Sequence, residues 1–252
     1  MHQSKPDDQL AMGKHGNEAC LQCHASFRDR IEPHTRHKAG SSGSECYNCH
    51  MPHTTYGLLK AIRSHRISSP SVKTTLETGR PNACNLCHLD QTLAWTAKHL
   101  TDWYGAPAVE VSAEEQQISA VVLWLLRGDA GQRALAAWSM GWEPARNVSG
   151  RQWLPPFLAQ LLDDPYSAVR YIAHRSLRGI AGFEDFSYDF VGLAADRAAA
   201  RTRAVEVWRK QGSVQRAGSL TNSLINPDGS LMQDTVERLL RQRDNRSLDL
   251  QE

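Results

Sequence analysis

The chain has 252 residues, 40% of them hydrophobic, a formal net charge of +2 and a mean hydropathy of −0.50. This describes a soluble chain of one large or two modest domains, and the near-balanced charge gives no electrostatic case for nucleic-acid binding. The longest mainly apolar run, Ile118 to Leu126, is far too short to span a membrane.

In chain order, residues 1 to about 107 hold every cysteine together with turn-forming clusters such as Lys38-Ala39-Gly40-Ser41-Ser42-Gly43-Ser44 and Gly79-Arg80-Pro81-Asn82. No amphipathic period is sustained before about Gln91. From there to Tyr104, Leu93, Ala97 and Leu100 predict a helix, ended by Gly105-Ala106-Pro107. The rest reads as helices: Glu114 to Leu126, Gly131 to Trp142, Trp153 to Leu162 and Ala168 to Leu177, then about Val191 to Lys210 and Leu231 to Asp244. Leu125-Leu126 and Leu161-Leu162 lie 36 positions apart, close to the period of helix-pair repeats. The pattern around Leu161, with Asp164-Pro165, Val169-Arg170 and Ala173, resembles a HEAT repeat, in which an Asp-Pro turn joins two antiparallel helices. The earlier unit keeps Ala137 in register with Ala173, but it lacks the proline and has Arg133 where Val169 would fall. The last two helices are expected to complete and cap the stack.

The chemistry sits in three short runs: Cys20-Leu21-Gln22-Cys23-His24, Cys46-Tyr47-Asn48-Cys49-His50 and Cys84-Asn85-Leu86-Cys87-His88, which use all six cysteines. Random placement of these six cysteines and the 11 histidines would give about 0.006 such matches. One helical turn puts two thiols on the same side, facing two vinyl groups of a porphyrin, and the next residue swings its imidazole under the iron. C-x-x-C-H is the attachment site of c-type haem, so three haems are expected, with His24, His50 and His88 as proximal ligands. Zinc prefers closed four-ligand sites and leaves the three histidines unexplained. Redox dithiols need one motif in an α/β setting, and disulfides at this spacing would be strained. Porphyrins also explain the missing amphipathic pattern, because roughly one large apolar disc per 30 residues replaces side-chain packing.

Eight histidines remain as candidate distal ligands: His2, His15, His34, His37, His53, His65, His99 and His174. His34 and His37, three apart in Pro33-His34-Thr35-Arg36-His37, are placed to serve two adjacent irons; the alternative is a solvated polar loop. His65 lies between the second and third motifs, flanked by Arg63 and Arg66, which suit pairing with haem propionates. His53 follows His50 too closely to reach the far side of its own haem and reads as a surface residue, with a neighbouring haem as the alternative. His15 is a reserve candidate, His99 lies on the helix after the third motif, and His174 is expected at the surface. His2 sits near the terminus. Met51 is badly placed for its own iron, and Met140 and Met232 fall in the helical half.

The runs Cys46 to Pro52, Thr55-Tyr56, Arg63-Ser64-His65 and Pro81 to His88, followed by Trp95, resemble a family of bacterial multihaem cytochromes that carry TPR- or HEAT-type helical repeats after the haem region. The resemblance is close over about residues 15 to 105 and looser beyond. It implies His34, His37 and His65 as the matching histidines.

The expected fold is therefore mainly α: a loop-rich three-haem domain over 1–107, a HEAT-like repeat domain over 108–220, and a capping helix and tail over 221–252. The expected function is electron relay between redox partners or other cytochromes, which dock through the repeats, with no catalytic residue of its own. The alternative is a multihaem oxidoreductase with one open-site haem acting on a small nitrogen or sulfur compound. On this reading, deletion beyond Pro107 abolishes docking and leaves the haem spectra intact. Covalent haem attachment implies export to the periplasm or beyond, yet Met1 to Asp8 offer no signal-peptide core. A mature form is expected, or a fragment whose upstream part carried further haems.

Overall fold

The computed structural model describes residue 14 and residues 16–57, 60–211 and 221–246; His2 and His15 lie outside these. The described residues are mainly helical, with 56% helix. The chain divides into two compact units, Met1–His53 with Arg63–Pro70, and Thr54–Ile62 with Ser71–Glu252.

The first unit holds three short helices, α1 (Glu18–Leu21), α2 (Ile31–Thr35) and α3 (Cys46–His50), with 3-10 turns at Ala25–Arg30 and Ser42–Ser44. In helices this short nearly every backbone group belongs to an end, so none is stable by itself. Side chains do not supply the missing support. Among the unit's described residues, Leu21 and Pro52 are the only buried apolar ones. α2 ends on Arg36 in the left-handed region at φ 59°, a conformation costly for a residue with a Cβ. Strands β1 (His53–Gly57) and β2 (Lys60–Arg63) pair as a two-stranded sheet, which the sequence pattern does not announce.

The second unit is a packed helical body. Its elements are α4 (Val72–Thr78), α5 (Leu93–Tyr104), α6 (Ala113–Gln117), α7 (Ala120–Arg127), α8 (Ala130–Gly141), α9 (Glu143–Ser149), α10 (Pro155–Gln160), α11 (Ser167–Arg178), α12 (Ala194–Lys210) and α13 (Gln233–Arg241). The single helix expected from Glu114 to Leu126 is two helices. Ile118 is extended, and Ser119 caps α7 by accepting from Val122 N–H at 3.3 Å. α7 packs on α8, α8 on α11, and α10 on α11 and α12. Leu125, Leu126, Leu161 and Leu162, spaced 36 residues apart in pairs, are fully buried, as are Ala137 and Ala173. α13 packs on α7.

Residues 71–107 pack with this second unit, not with the first two motifs as the boundary at residue 107 anticipates. Leu89, Leu93 and Leu100 are part of the same apolar core as α7, α8 and α10. Arg133, which breaks the repeat pattern in sequence, is fully buried and pairs with the equally buried Asp164. Its Nε donates to Oδ2 at 2.7 Å, its Nη2 to Oδ1 at 3.2 Å and its Nη1 to the Gly128 and Asp244 carbonyls at 2.7 Å each. Arg243 approaches Asp164 from the C-terminal segment at 3.3 Å.

Candidate haem-attachment sites

In the first unit, the Cys20 and Leu21 amides donate to the Asn17 carbonyl at 2.9 Å, and His24 N–H donates to Cys20 O at 2.9 Å. One helical turn thus links the first cysteine to its histidine. The second motif is α3 itself. The two motifs are stapled together by one side chain: Asn17 Nδ2 donates to Ser44 O at 2.9 Å, and Asn17 Oδ1 accepts from Cys46 N–H at 2.8 Å. The Cys20 and Cys46 side chains hydrogen-bond to each other; burial first, and Cys20 second, push the Cys46 thiol up to about 11. Burial also raises Cys49. The structure holds the six cysteines as thiols rather than disulfides.

His50 is oriented from behind. Its Nδ1 lies 3.2 Å from Ser68 O, and its own carbonyl accepts from Ser68 N–H at 3.0 Å. A carbonyl partner at Nδ1 makes Nε2 the lone-pair nitrogen. The rings of His34 and His50 are parallel to within 3°, with centroids 6.1 Å apart. Such a separation is too wide for face-to-face ring contact. Two imidazoles bonded at about 2 Å on opposite sides of one metal put their centroids roughly 6 Å apart. Burial, then His50, then Arg30 hold His34 below the ordinary histidine value. Phe27 packs 4.6 Å from the His34 ring and 6.4 Å from that of His24.

Arg63 engages the end of α3. It donates to the Tyr47 and Met51 carbonyls at 3.1 and 3.2 Å and to Asn48 Oδ1 at 2.6 Å, and its guanidinium lies over the Tyr47 ring. It therefore clamps the last turn of α3, the usual place for a cation at a helix C-terminus. His65 is exposed in the turn after β2. His37 is half-buried, with Nδ1 2.6 Å from Thr35 O.

His53 is half-buried rather than on the surface, and burial, then Arg63, lower its pKa from 6.5 to about 3. An unfolded chain takes up a proton here between those values and the folded protein does not. Its contribution to stability is therefore complete above about pH 6.5 and falls as pH drops toward about 3. Urea midpoints compared at about pH 7 and about pH 5 are expected to fall less in His53→Gln than in the wild type. Equal losses in both proteins would contradict this.

The third motif is built into the helical unit by polar side chains within it, before it and far downstream of it. Asn82 Oδ1 accepts from Cys84 N–H at 3.1 Å, and His88 N–H donates to Cys84 O at 2.8 Å. The buried Asn85 donates to the Gln91 and Thr92 carbonyls at 3.0 and 3.3 Å and accepts from Thr96 Oγ1 at 2.8 Å. Ser149 Oγ accepts from Leu89 N–H at 2.8 Å and donates to Cys87 O at 3.1 Å, while Ser119 Oγ donates to Leu89 O at 2.5 Å. Spacing alone does not reveal Ser119 and Ser149, since each contacts the motif from at least 30 residues downstream. The His88 ring lies 5.1 Å from Trp95, which begins a row along α5 with His99 at 4.5 Å and Trp103 a further 4.4 Å on. His174, expected at the surface, is half-buried and bonded through Nε2 to Phe186 O at 2.8 Å.

Among the described residues, no three His, Cys, Asp or Glu side chains converge as a metal site. None of the described helices is long and apolar enough to cross a membrane. Comparison with protein-family models, curated proteins and solved structures finds no match to this chain.

Proposed function

We propose that the chain is a three-haem c-type cytochrome that relays single electrons between redox partners, with HEAT-like helix pairs as the docking scaffold. The observation that carries this reading is the His34–His50 pair, whose parallel rings stand 6.1 Å apart beside Cys46 and Cys49. Covalent haem c, attached through Cys20 and Cys23, Cys46 and Cys49, and Cys84 and Cys87, would supply one-electron iron chemistry. His24, His50 and His88 would hold the irons, and His34, His37 and His65 are the proposed further ligands.

The first unit supports the reading independently. A body of this size with Leu21 and Pro52 as its buried apolar residues needs another apolar mass to order its loops, and porphyrin rings are such a mass. Ser68 behind His50 and Thr35 behind His37 orient imidazoles in the manner of ligand-supporting carbonyls. Covalent attachment implies maturation in the periplasm or outside the cell.

The test is spectroscopic. Ferric protein is expected to show three low-spin haems by electron paramagnetic resonance and no change on adding cyanide. His34→Ala is expected to convert one of the three to a high-spin, cyanide-binding form. A stoichiometric high-spin haem in the wild type would sink the relay reading and favour an open-site oxidoreductase.

A further inference from the structure

We infer that Gly43 is a positioning residue for the His37 imidazole, an inference that rests on the haem reading above. The ring packs directly on the glycine backbone. A Cβ built at Gly43 would stand 2.2 Å from Cδ2, 2.6 Å from Cγ and 2.9 Å from Nε2 of His37. All three distances are shorter than real Cβ contacts allow.

The glycine is not there for its backbone. Gly43 lies within the Ser42–Ser44 turn and outside the left-handed region. Gly40, three residues earlier, has φ +76° with nothing within 4 Å of a built Cβ, so that glycine serves the turn. What excludes a side chain at position 43 is the imidazole itself.

The opposite restraint comes from Thr35. His37 Nδ1 lies 2.6 Å from Thr35 O, and His37 N–H donates to Thr35 Oγ1 at 3.2 Å. Thr35 Oγ1 in turn donates to Ile31 O at 2.8 Å, which ties the group to α2. Arg36 between them holds the strained φ of 59°, and strain of this kind persists only where surrounding contacts impose it. A carbonyl at one ring nitrogen and a bare Cα against the ring face fix both tautomer and tilt. Nε2 is thereby made the donor atom, in a set direction.

The experiment is a double-mutant cycle on the full, haem-loaded chain, with haem stoichiometry read by mass spectrometry and spin state by electron paramagnetic resonance. Gly43→Ala is expected to keep three haems while one of the three low-spin signals is lost to a high-spin form that binds added imidazole. Lys38→Ala in the same loop should keep all three low-spin signals. His37→Gly should also lose one low-spin signal, and added imidazole should restore it. In that background Gly43→Ala should leave imidazole affinity unchanged, because the clashing ring is gone.

The inference is overturned if Gly43→Ala keeps three low-spin haems, or if it weakens imidazole rescue in the His37→Gly background. Should Gly43→Ala alone fail to accumulate, the double variant decides. Wild-type protein without three covalent haems would instead overturn the haem reading on which the inference stands.

Discussion

On the haem reading proposed above, a chain ending at Pro107 is expected to lose the native state of the third haem while the first two keep theirs. Truncation there removes Ser119 and Ser149, whose hydroxyls hold both the carbonyl and the amide of Leu89 and the carbonyl of Cys87. It also removes the core that buries Leu89 and Leu93, at 0% and 2% exposure. Exposing each such leucine costs about 2 kcal/mol, more than a 12-residue α5 recovers as an isolated helix. The attachment sequence itself survives, so mass should still show the third porphyrin. One third of the low-spin signal is expected to disappear and to be replaced by a ligand-accessible form. The contacts around Asn17, His34, His50 and Ser68 lie wholly within residues 16–53 and 63–70, so their signals should persist. Unchanged spectra after truncation, the outcome anticipated from the sequence boundary, would show that the helices do not support the third site.

Asp164→Ala is expected to destabilise the helical unit by about 3–5 kcal/mol, because it strands a fully buried guanidinium. Asp164 takes two hydrogen bonds from Arg133, one from Arg243 and one from the Tyr166 amide. The loss is large beside the roughly 5–15 kcal/mol that holds a typical domain folded. Replacing the pair together, as Arg133→Met with Asp164→Leu, should cost much less, since no charge is then left without a counterpart. Urea unfolding followed by far-ultraviolet circular dichroism checks both. A single variant less than about 1 kcal/mol below wild type would place the pair among ion pairs of little worth.

Much of this was legible in the chain. The cysteine spacing locates all three motifs, and periodicity locates α5, α8, α11 and α12 to within a few residues. The errors have specific causes. Ser119 reads as a helix interior because the run Ile118 to Leu126 is otherwise apolar, and nothing local reveals its bonds to Leu89 O and to the Asn222 carbonyl. Arg133 looked like a fault in a repeat because its partner Asp164 is 31 residues away. The contacts of Arg63 at the end of α3 are likewise hidden, because the Tyr47 and Met51 carbonyls lie 16 and 12 residues away. In each case a long-range polar contact decided what residue type and local pattern could not.

The distance in sequence between the third motif and its supports also sets an order of events. Leu89 meets Ser149 across 60 residues. A chain that emerges from its N-terminus exposes Cys84 and Cys87 well before that hydroxyl arrives. During this interval the two thiols sit on an open turn, reachable by whatever joins them to porphyrin, and the helices close around them afterwards. The first two motifs, stapled by Asn17 across 29 residues or fewer, close much sooner. On the proposed haem reading, the site most deeply seated in the folded chain is thus the one left open longest.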